Sequence, residues 1–219
     1  MLDQKTLTSE VGMKILGGLH AFAEELGNPA ILSHLKAAAP SFQLEPLDNP
    51  LALRHFLQTY YSQVLVSCEM PAIYRAYNHA SRSEIRDLIA TDRHLMREPI
   101  LQPFASASQQ AGTTQLKRLR PLRGDRLVQR YWQAVENGKA FGWHTVVYGL
   151  VLSLYSVPLR QGLLNYGEQT LHGLISSASH SLKLEEQHKQ ALHFEFCRQL
   201  PSAIESILEP RSPSPVPNR

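Results

Sequence analysis

An all-α fold is predicted for this chain, and three observations predict it. Apolar residues recur at steps of three and four through almost every segment, which is the spacing of one helix face. No segment alternates apolar and polar residues between hairpin turns, as half-buried strands do. The stretch from His144 to Leu184 has the pattern of two consecutive helices around which the remaining helices can pack. We therefore expect a multi-helix bundle.

Length and composition favour one domain. The chain has 219 residues, of which 43% are hydrophobic, and this is enough to bury a substantial core. We expect residues 1–208 to form that single domain. Residues 209–219 contain four prolines and no apolar periodicity, so we expect a flexible tail that is extended or disordered when the protein is alone.

The first helix of the central pair is predicted to be buried. Its apolar residues cover both faces of the helix, and they are Val146, Val147, Tyr148, Leu150, Val151, Leu152 and Leu154. The run is interrupted at Ser156 and Pro158, well short of the roughly 20 apolar residues that a bilayer span needs. The sequence therefore predicts a core helix and no membrane association.

The second helix of the pair, which begins after Pro158, is rich in glycine. Gly162, Gly167 and Gly173 each cost about 1 kcal/mol relative to alanine inside a helix. We expect the cost to be offset by close approach of a neighbouring helix or of a partner subunit. The alternative is a kink or a helix break near Gly167.

The segments before the central pair carry helical patterns separated by turn signals. A pattern from Thr8 to Pro40 is followed by a loop in which Asp48, Asn49 and Pro50 signal a helix start. The next apolar stripe consists of Leu53, Leu57, Tyr60, Val64 and Cys68. Beyond Pro71 it continues through Ile73, Tyr74, Tyr77 and Ala80. Ser81 and Glu84 have the spacing of a capping box that would open another helix.

Further helices are predicted after Pro103, from Leu127 to Glu136 and from about Glu185. The helix after Pro103 has mostly small residues on its inner face. The helix from Leu127 is expected to end at Asn137 and Gly138. The last helix is expected to be split by Pro201.

The densest positive charge lies at an interhelical hinge that runs from Lys117 to Arg130, around Pro121 and Gly124. The hinge could contact RNA or an acidic lipid surface, but it lacks the interleaved aromatics typical of single-stranded RNA sites. The whole chain has a net charge of only +3, which falls short of a nucleic-acid signature. We expect a solvated connection, with an acidic protein partner as the second interpretation and no nucleic acid bound.

No catalytic constellation is found in the sequence. Cys68, Ser106 and Ser108 lack the context of an activated nucleophile, and no glycine-rich phosphate loop is present. The ten histidines include no His-x-x-x-His pair, so we expect neither a metal site nor a cofactor. The alternative is a small helical enzyme that holds a metal through His180, His188 and His193.

Three segments resemble the motifs of a known family. Ala107 to Gly112, ASQQAG, resembles the Ala-Ser-x-x-x-Gly pattern of the urease accessory protein UreF family. His144 to Gly149, HTVVYG, with Val157-Pro-Leu after it, is similar to the family's His-x-x-Val-x-Phe/Tyr-Gly helix and the turn that follows. The segment LLNYGEQTLHGLISSASHSLKLEEQ resembles the next family helix. Weaker likeness at Val11-Gly12 and Gly18-Leu19 extends the resemblance from about Val11 to Leu208.

The chain also departs from the family pattern. Pro103 and Ala105 replace the family's Glu-x-Arg, and His180 stands where a basic residue is usual. Lys183 to Glu186, KLEE, replaces Pro-Leu-Gly-Gln. The helical pattern is retained while polar residues differ, which is typical of a homologue whose partners changed with it or of a paralogue that lost the original role.

The resemblance implies an all-α, non-catalytic accessory protein that helps load nickel into urease. Such proteins form homodimers and bind a UreD/UreH-type accessory protein and a UreG-type GTPase, and they reach the urease apoprotein through that complex. We expect partner contacts on the glycine-rich helix, at Tyr166, Gly167, Thr170, His180 and Lys183. Because Met1 to Thr8 is polar and the two cysteines suggest no disulfide framework, we expect a cytoplasmic protein.

Overall fold

The structure is a computed structural model that describes residues 47–119 and 126–209, with the side chains of residues 180 and 181 excepted. The predicted helix between Thr8 and Pro40, the hinge residues Pro121 and Gly124, and the proline-rich tail beyond Glu209 lie outside the described residues.

The described residues form helices joined by short turns, and no strand occurs among them, so the all-α prediction is confirmed. In chain order the elements are α1 (Pro50–Thr59), a π-helix (Tyr60–Glu69), α2 (Met70–Ser81), α3 (Ile85–Leu95), a 3₁₀-helix (Pro99–Phe104), α4 (Ala105–Arg118), α5 (Arg126–Glu136), α6 (His144–Leu154), α7 (Leu159–Leu182), α8 (Glu186–Cys197) and α9 (Leu200–Leu208).

Helix α6 lies at the centre of the bundle. Every residue from His144 to Leu152 is buried, as the apolar pattern of the sequence predicts. Helices α2 and α4 make its most extensive contacts, and α3 and α7 also touch it. The crossing with α2 is close because Gly149 has no side chain: a Cβ there would lie 2.6 Å from the Ile73 carbonyl oxygen and 2.8 Å from Ala76 Cβ.

The glycine-rich helix α7 runs without a break from Leu159 to Leu182, so the predicted alternative of a helix break at Gly167 is wrong. At Gly162 and Gly167 close packing is present, and it is made by side chains of the same chain and not by the backbone of a neighbouring helix. A Cβ at Gly162 would overlap the Leu152 side chain, and one at Gly167 would lie 2.7 Å from Leu200 Cδ2. Packing of core side chains into these gaps offsets the low helix propensity.

Local signals set several helix ends as predicted. Asn49 caps α1, because its Oδ1 accepts a hydrogen bond from the Ala52 amide at 2.9 Å and Pro50 is the first helical residue. Gly138 follows α5 with a φ of +67°. Pro201 lies in the first turn of α9 and separates it from α8.

The predicted capping box at Ser81 and Glu84 is wrong. Ser81 ends α2, and its Oγ donates to the Asn78 carbonyl at 2.9 Å. Ser83 takes a left-handed conformation with a φ of +58°, and the Glu84 carboxylate turns back to His79. The backbone reversal at Ser83 therefore ends one helix where the sequence pattern suggests the start of another.

The stripe from Leu53 to Cys68 is helical as predicted, but its second half is a π-helix. The wider turn brings Tyr60, Tyr61, Val64, Leu65 and Glu69 to the interior and leaves Cys68 only half-buried. A polar residue thereby enters the core at Glu69, where the sequence pattern predicts none.

Replacing Gly149 with alanine is expected to destabilise the fold by about 1–3 kcal/mol, because the new Cβ meets the backbone of α2 and overpacking carries costs of this size. The matched control is Gly167→Ala, whose Cβ meets the mobile ends of Leu200 and Met70 and which also gains helix propensity. Urea unfolding measures both. Equal losses of unfolding free energy in the two variants would contradict the backbone contact at Gly149.

Candidate functional site

Two of the sequence motifs meet at the junction of α4 and α6. The Ser108 hydroxyl oxygen accepts a hydrogen bond from the His144 amide at 3.1 Å, at the start of α6. One turn further along α4, a Cβ at Gly112 would overlap the Gly142 carbonyl oxygen and lie 2.9 Å from the His144 nitrogen. The ASQQAG segment and the HTVVYG segment therefore pack together, and Ser108 and Gly112 contact the first residue of α6 and the loop before it.

A buried aspartate, Asp92, hydrogen-bonds to the loop that precedes α6. One Asp92 carboxylate oxygen accepts from the Tyr131 hydroxyl at 2.6 Å and from the Gly142 and Trp143 amides at 3.0 Å each. The other oxygen accepts from the Phe141 amide. Four donors thus satisfy a fully buried side chain and tie α3 and α5 to the loop before α6.

Sequence reasoning missed Asp92, although a signal was present. Asp92 falls between Leu88 and Leu95 on the apolar stripe of α3, and all three are buried. An acidic residue in a core position needs buried donors, so its position alone marks a hydrogen-bonded anchor. The partners themselves, 39 to 51 residues away, could not be read from the sequence.

A second polar cluster lies where the π-helix meets α7. Glu69 accepts a hydrogen bond from the Tyr60 hydroxyl at 2.9 Å and also interacts with the Tyr166 hydroxyl. Burial raises the pKa of Glu69 to about 7, and the two tyrosine bonds offset only part of that rise. Burial and the nearby carboxyl raise the pKa of both tyrosines well above the ordinary value.

Tyr166 links this cluster to α6. Its ring lies 5.9 Å from the His144 ring and 5.2 Å from the Tyr148 ring, measured between centroids. Burial lowers the pKa of His144 to about 3, so the imidazole is neutral at physiological pH. His144 and Tyr166 therefore act as core aromatic residues with polar edges.

The five predicted interface residues do not form one surface patch. Tyr166, Gly167 and Thr170 are buried in the chain's own core, where a partner could touch them only if α7 moved. Lys183 is exposed and ends α7 in a left-handed conformation with a φ of +49°. His180 lies within α7, and its side chain is among those that the structure does not describe. Contact of these residues with a partner stays a prediction.

Two surface features of different charge flank the central helices. The outer face of α4 and Phe141 border a shallow, largely neutral groove of about 760 Å³, here called the α4 groove. Its lining includes Ala105, Ser106, Gln109, Gln110, Thr113 and Phe141. A second cavity of about 670 Å³, here called the arginine cavity, lies between the α2–α3 turn, α5 and the end of α6 and is lined by Arg126 and Arg130 of the basic hinge.

The positions that depart from the family pattern lie at ends of elements. Pro103 is within the 3₁₀-helix, and Ala105, the first residue of α4, lines the α4 groove. Glu186 is exposed at the start of α8 and pairs with Lys189 at 2.6 Å. The departures therefore change the ends of α4 and α8 and leave the α4–α6 junction as it is.

The histidines of the alternative metal hypothesis are not brought together in the part of the chain that can be described. His188 is exposed, whereas the His193 ring contacts the His172 ring and its Nε2 lies 3.4 Å from Cys197 Sγ. Burial raises the pKa of the Cys197 thiol to about 12, so this cysteine is not an activated nucleophile. Within residues 47–119 and 126–209, three side chains have ligand atoms close enough together to hold a metal ion: His79, Glu84 and Asp87.

These features define an all-α protein in which the buried Asp92, Glu69 and Ser108 hydrogen-bond within the core. The family model of UreF matches residues 47–197, more than half of the chain. The chain therefore belongs to the UreF family of urease accessory proteins, and the resemblance stated from its motifs is confirmed. No curated protein matches the chain. Within the described residues, no helix combines the length and apolar character needed to span a membrane.

Asp92→Asn is expected to destabilise the protein by roughly 2–3 kcal/mol, because an amide replaces a buried charged acceptor and turns one donor group toward other donors. The control is Glu136→Gln on the exposed end of α5. Thermal or urea unfolding measures the difference. An Asp92→Asn variant as stable as Glu136→Gln would show that the four hydrogen bonds of Asp92 do not stabilise the fold.

Glu69 should make stability fall as pH rises. Its folded pKa of about 7 lies above the ordinary 4.5, so the folded state binds the proton more tightly. This contribution is fully present below about pH 4.5 and is lost as pH rises through 7. Between pH 5 and pH 8 the wild type should lose up to about 3 kcal/mol relative to Glu69→Gln. Urea unfolding measures the free energy of unfolding of both proteins. A difference between wild type and Glu69→Gln that stays constant over this pH range would contradict the raised pKa of Glu69.

Proposed function

We propose that this protein is a non-catalytic scaffold in the assembly of the nickel metallocentre of urease. UreF proteins are accessory proteins of that process, and membership of the family is the observation that carries the proposal. In this role the chain forms a homodimer, binds a UreD/UreH-type accessory protein and a UreG-type GTPase, and reaches the urease apoprotein through the complex. The two free cysteines, Cys68 and Cys197, suit a cytoplasmic location.

The chemistry of the interior supports binding over catalysis. Asp92 is saturated by four donors, and Glu69 is held between two tyrosine hydroxyls inside the core. His144 is buried and neutral, and the Cys197 thiol is protonated. Asp92, Glu69 and His144 are thus engaged in the packing of the described core, and the half-buried Cys197 thiol is not activated.

The two surface features suit two chemically different partners. The α4 groove offers mostly neutral polar side chains and the exposed Phe141 ring, with Lys117 as its one charged lining residue, which favours an apolar and hydrogen-bonded contact. The arginine cavity carries Arg126 and Arg130, which favour an acidic segment of a partner, the second interpretation of the basic hinge. A scaffold that joins two proteins needs separate faces of this kind.

The glycine-rich helix α7 enters this proposal through its C-terminal end. Lys183 and His180 lie there, and Lys183 is exposed to a partner. Tyr166, Gly167 and Thr170 lie behind this end, and their packing against α6, α9 and the π-helix fixes the position of α7. We propose that these five residues form one functional unit in which the buried three position the end of α7 that carries His180 and Lys183.

Co-purification with the UreD/UreH-type and UreG-type proteins tests the proposal. The full chain is mixed with each partner under reducing conditions and analysed by size-exclusion chromatography with mass determination. We expect a stable complex, and we expect Lys183→Glu to weaken it at least about tenfold, as charge reversal at an interface does. The control is Lys139→Glu, at another exposed lysine, in the loop before α6.

Three outcomes separate the parts of this proposal. A folded protein that pairs with neither partner would overturn the scaffold role and would favour a diverged paralogue. A complex that Lys183→Glu and Lys139→Glu leave equally intact would place the interface away from the end of α7. A monomeric mass for the protein alone and within the complex would overturn the homodimer.

A further inference from the structure

Three metal-binding side chains converge at the turn between α2 and α3. His79 belongs to the last turn of α2, Glu84 precedes the first residue of α3, and Asp87 lies in the first turn of α3. His79 Nδ1 and Glu84 Oε2 are 2.7 Å apart. One ligand atom from each of the three residues lies within 4.8 Å of the other two.

The backbone of the turn holds this arrangement in place. The Glu84 amide donates to the His79 carbonyl at 2.8 Å, and the Ser83 amide donates to the Ala80 carbonyl at 3.0 Å. These bonds close the end of α2 around Ser83, whose left-handed conformation reverses the chain. Because the turn is fixed, a cation would need only side-chain adjustment to bring the ligand atoms to the roughly 3–3.5 Å spacing set by bonds of about 2.1 Å.

The turn carries two carboxylates beside the His79 imidazole, and Arg126 and Arg130 line the adjacent cavity that Ser81 and Ser83 border. Glu84 and Asp87 supply two carboxylates, and no lysine or arginine in the described ranges forms an ion pair with either of them. Arg82 and Arg86 are nearby in sequence and are exposed. The turn joins the C-terminal end of α2 to the N-terminal end of α3, whose partial charges have opposite signs, so the side chains set the local charge.

We propose that His79, Glu84 and Asp87 form a binding site for a divalent transition metal of the Zn²⁺ and Ni²⁺ class. One imidazole with two carboxylates is a donor set that such ions accept, with water completing the coordination. The bound ion would replace the hydrogen bond between His79 Nδ1 and Glu84 Oε2. This inference is independent of the proposed scaffold role.

A second histidine–glutamate pair provides a matched control. His94 Nε2 and Glu98 Oε1 are 3.0 Å apart on the solvent face at the end of α3. This pair has no third ligand within reach in the described part of the chain. A site that depends on three ligands should respond to changes at His79 and Asp87 and ignore changes at His94.

The experiment titrates the full chain, without an affinity tag, with ZnCl₂ and separately with NiCl₂ in an isothermal calorimeter. We expect one high-affinity ion per chain, weakened at least about tenfold by Asp87→Asn and by His79→Gln and unchanged by His94→Gln. Co²⁺ gives a second readout, because its visible absorption bands should appear with the wild type and disappear with His79→Gln. Circular dichroism verifies that each variant is folded.

Other results would overturn the site. Absence of Zn²⁺ and Ni²⁺ binding by the folded wild type would do so directly. Binding that survives both His79→Gln and Asp87→Asn, or that His94→Gln weakens equally, would assign the metal to other histidines among the ten in the chain. Complex formation with the accessory proteins is measured without added metal, so failure of the metal site and failure of the scaffold role are distinguishable.

Discussion

Helix α6 has no face in contact with water from His144 to Leu152, and the arrangement of the surrounding helices depends on covering it completely. Two glycines allow this. Gly149 lets α2 approach the helix itself, and Gly112 lets α4 approach the chain that enters it. The approach leaves backbone amides inside the protein, and Ser108 and Asp92 accept from those amides. Close packing and hydrogen-bond satisfaction are therefore two parts of one constraint.

The π-helix explains how a glutamate enters such a core. Tyr60 and Glu69 are nine residues apart, which is about two turns of a π-helix and two and a half turns of an α-helix. In the π-helix they share a face and hydrogen-bond to each other, whereas in an α-helix they would point in opposite directions. The wider turn thus places an acid opposite Tyr166 of α7 and couples the packing of three elements to one protonation state.

The sequence predicted elements whose causes are local and missed features whose causes are distant. Asn49 before Pro50, the apolar run of α6 and Pro201 act through neighbours in the chain, and each was predicted. The bonds of Asp92 join residues 39 to 51 positions apart, so only its place in an apolar stripe could be seen. The pattern of Ser81 and Glu84 fits a capping box. In the structure the chain reverses at Ser83, and the Glu84 carboxylate contacts the His79 imidazole instead of capping a helix.

The division between interior and surface also explains why family membership leaves partner choice open. The retained motif residues Ser108, Gly112 and Gly149 make contacts inside the protein. The low helix propensity of Gly162 and Gly167 is offset by packing of Leu152, Leu200 and Met70 of the same chain. The packing of α7 at Gly162 and Gly167 is therefore completed within the chain, and the proposed dimerisation and partner binding would involve exposed faces. Among the positions that depart from the family pattern, Lys183 and Glu186 are exposed, whereas Ala105 at the start of α4 is buried. The interior carries the fold of the UreF family, and we propose that the exposed departing positions, Lys183 and Glu186, influence which proteins the chain can join.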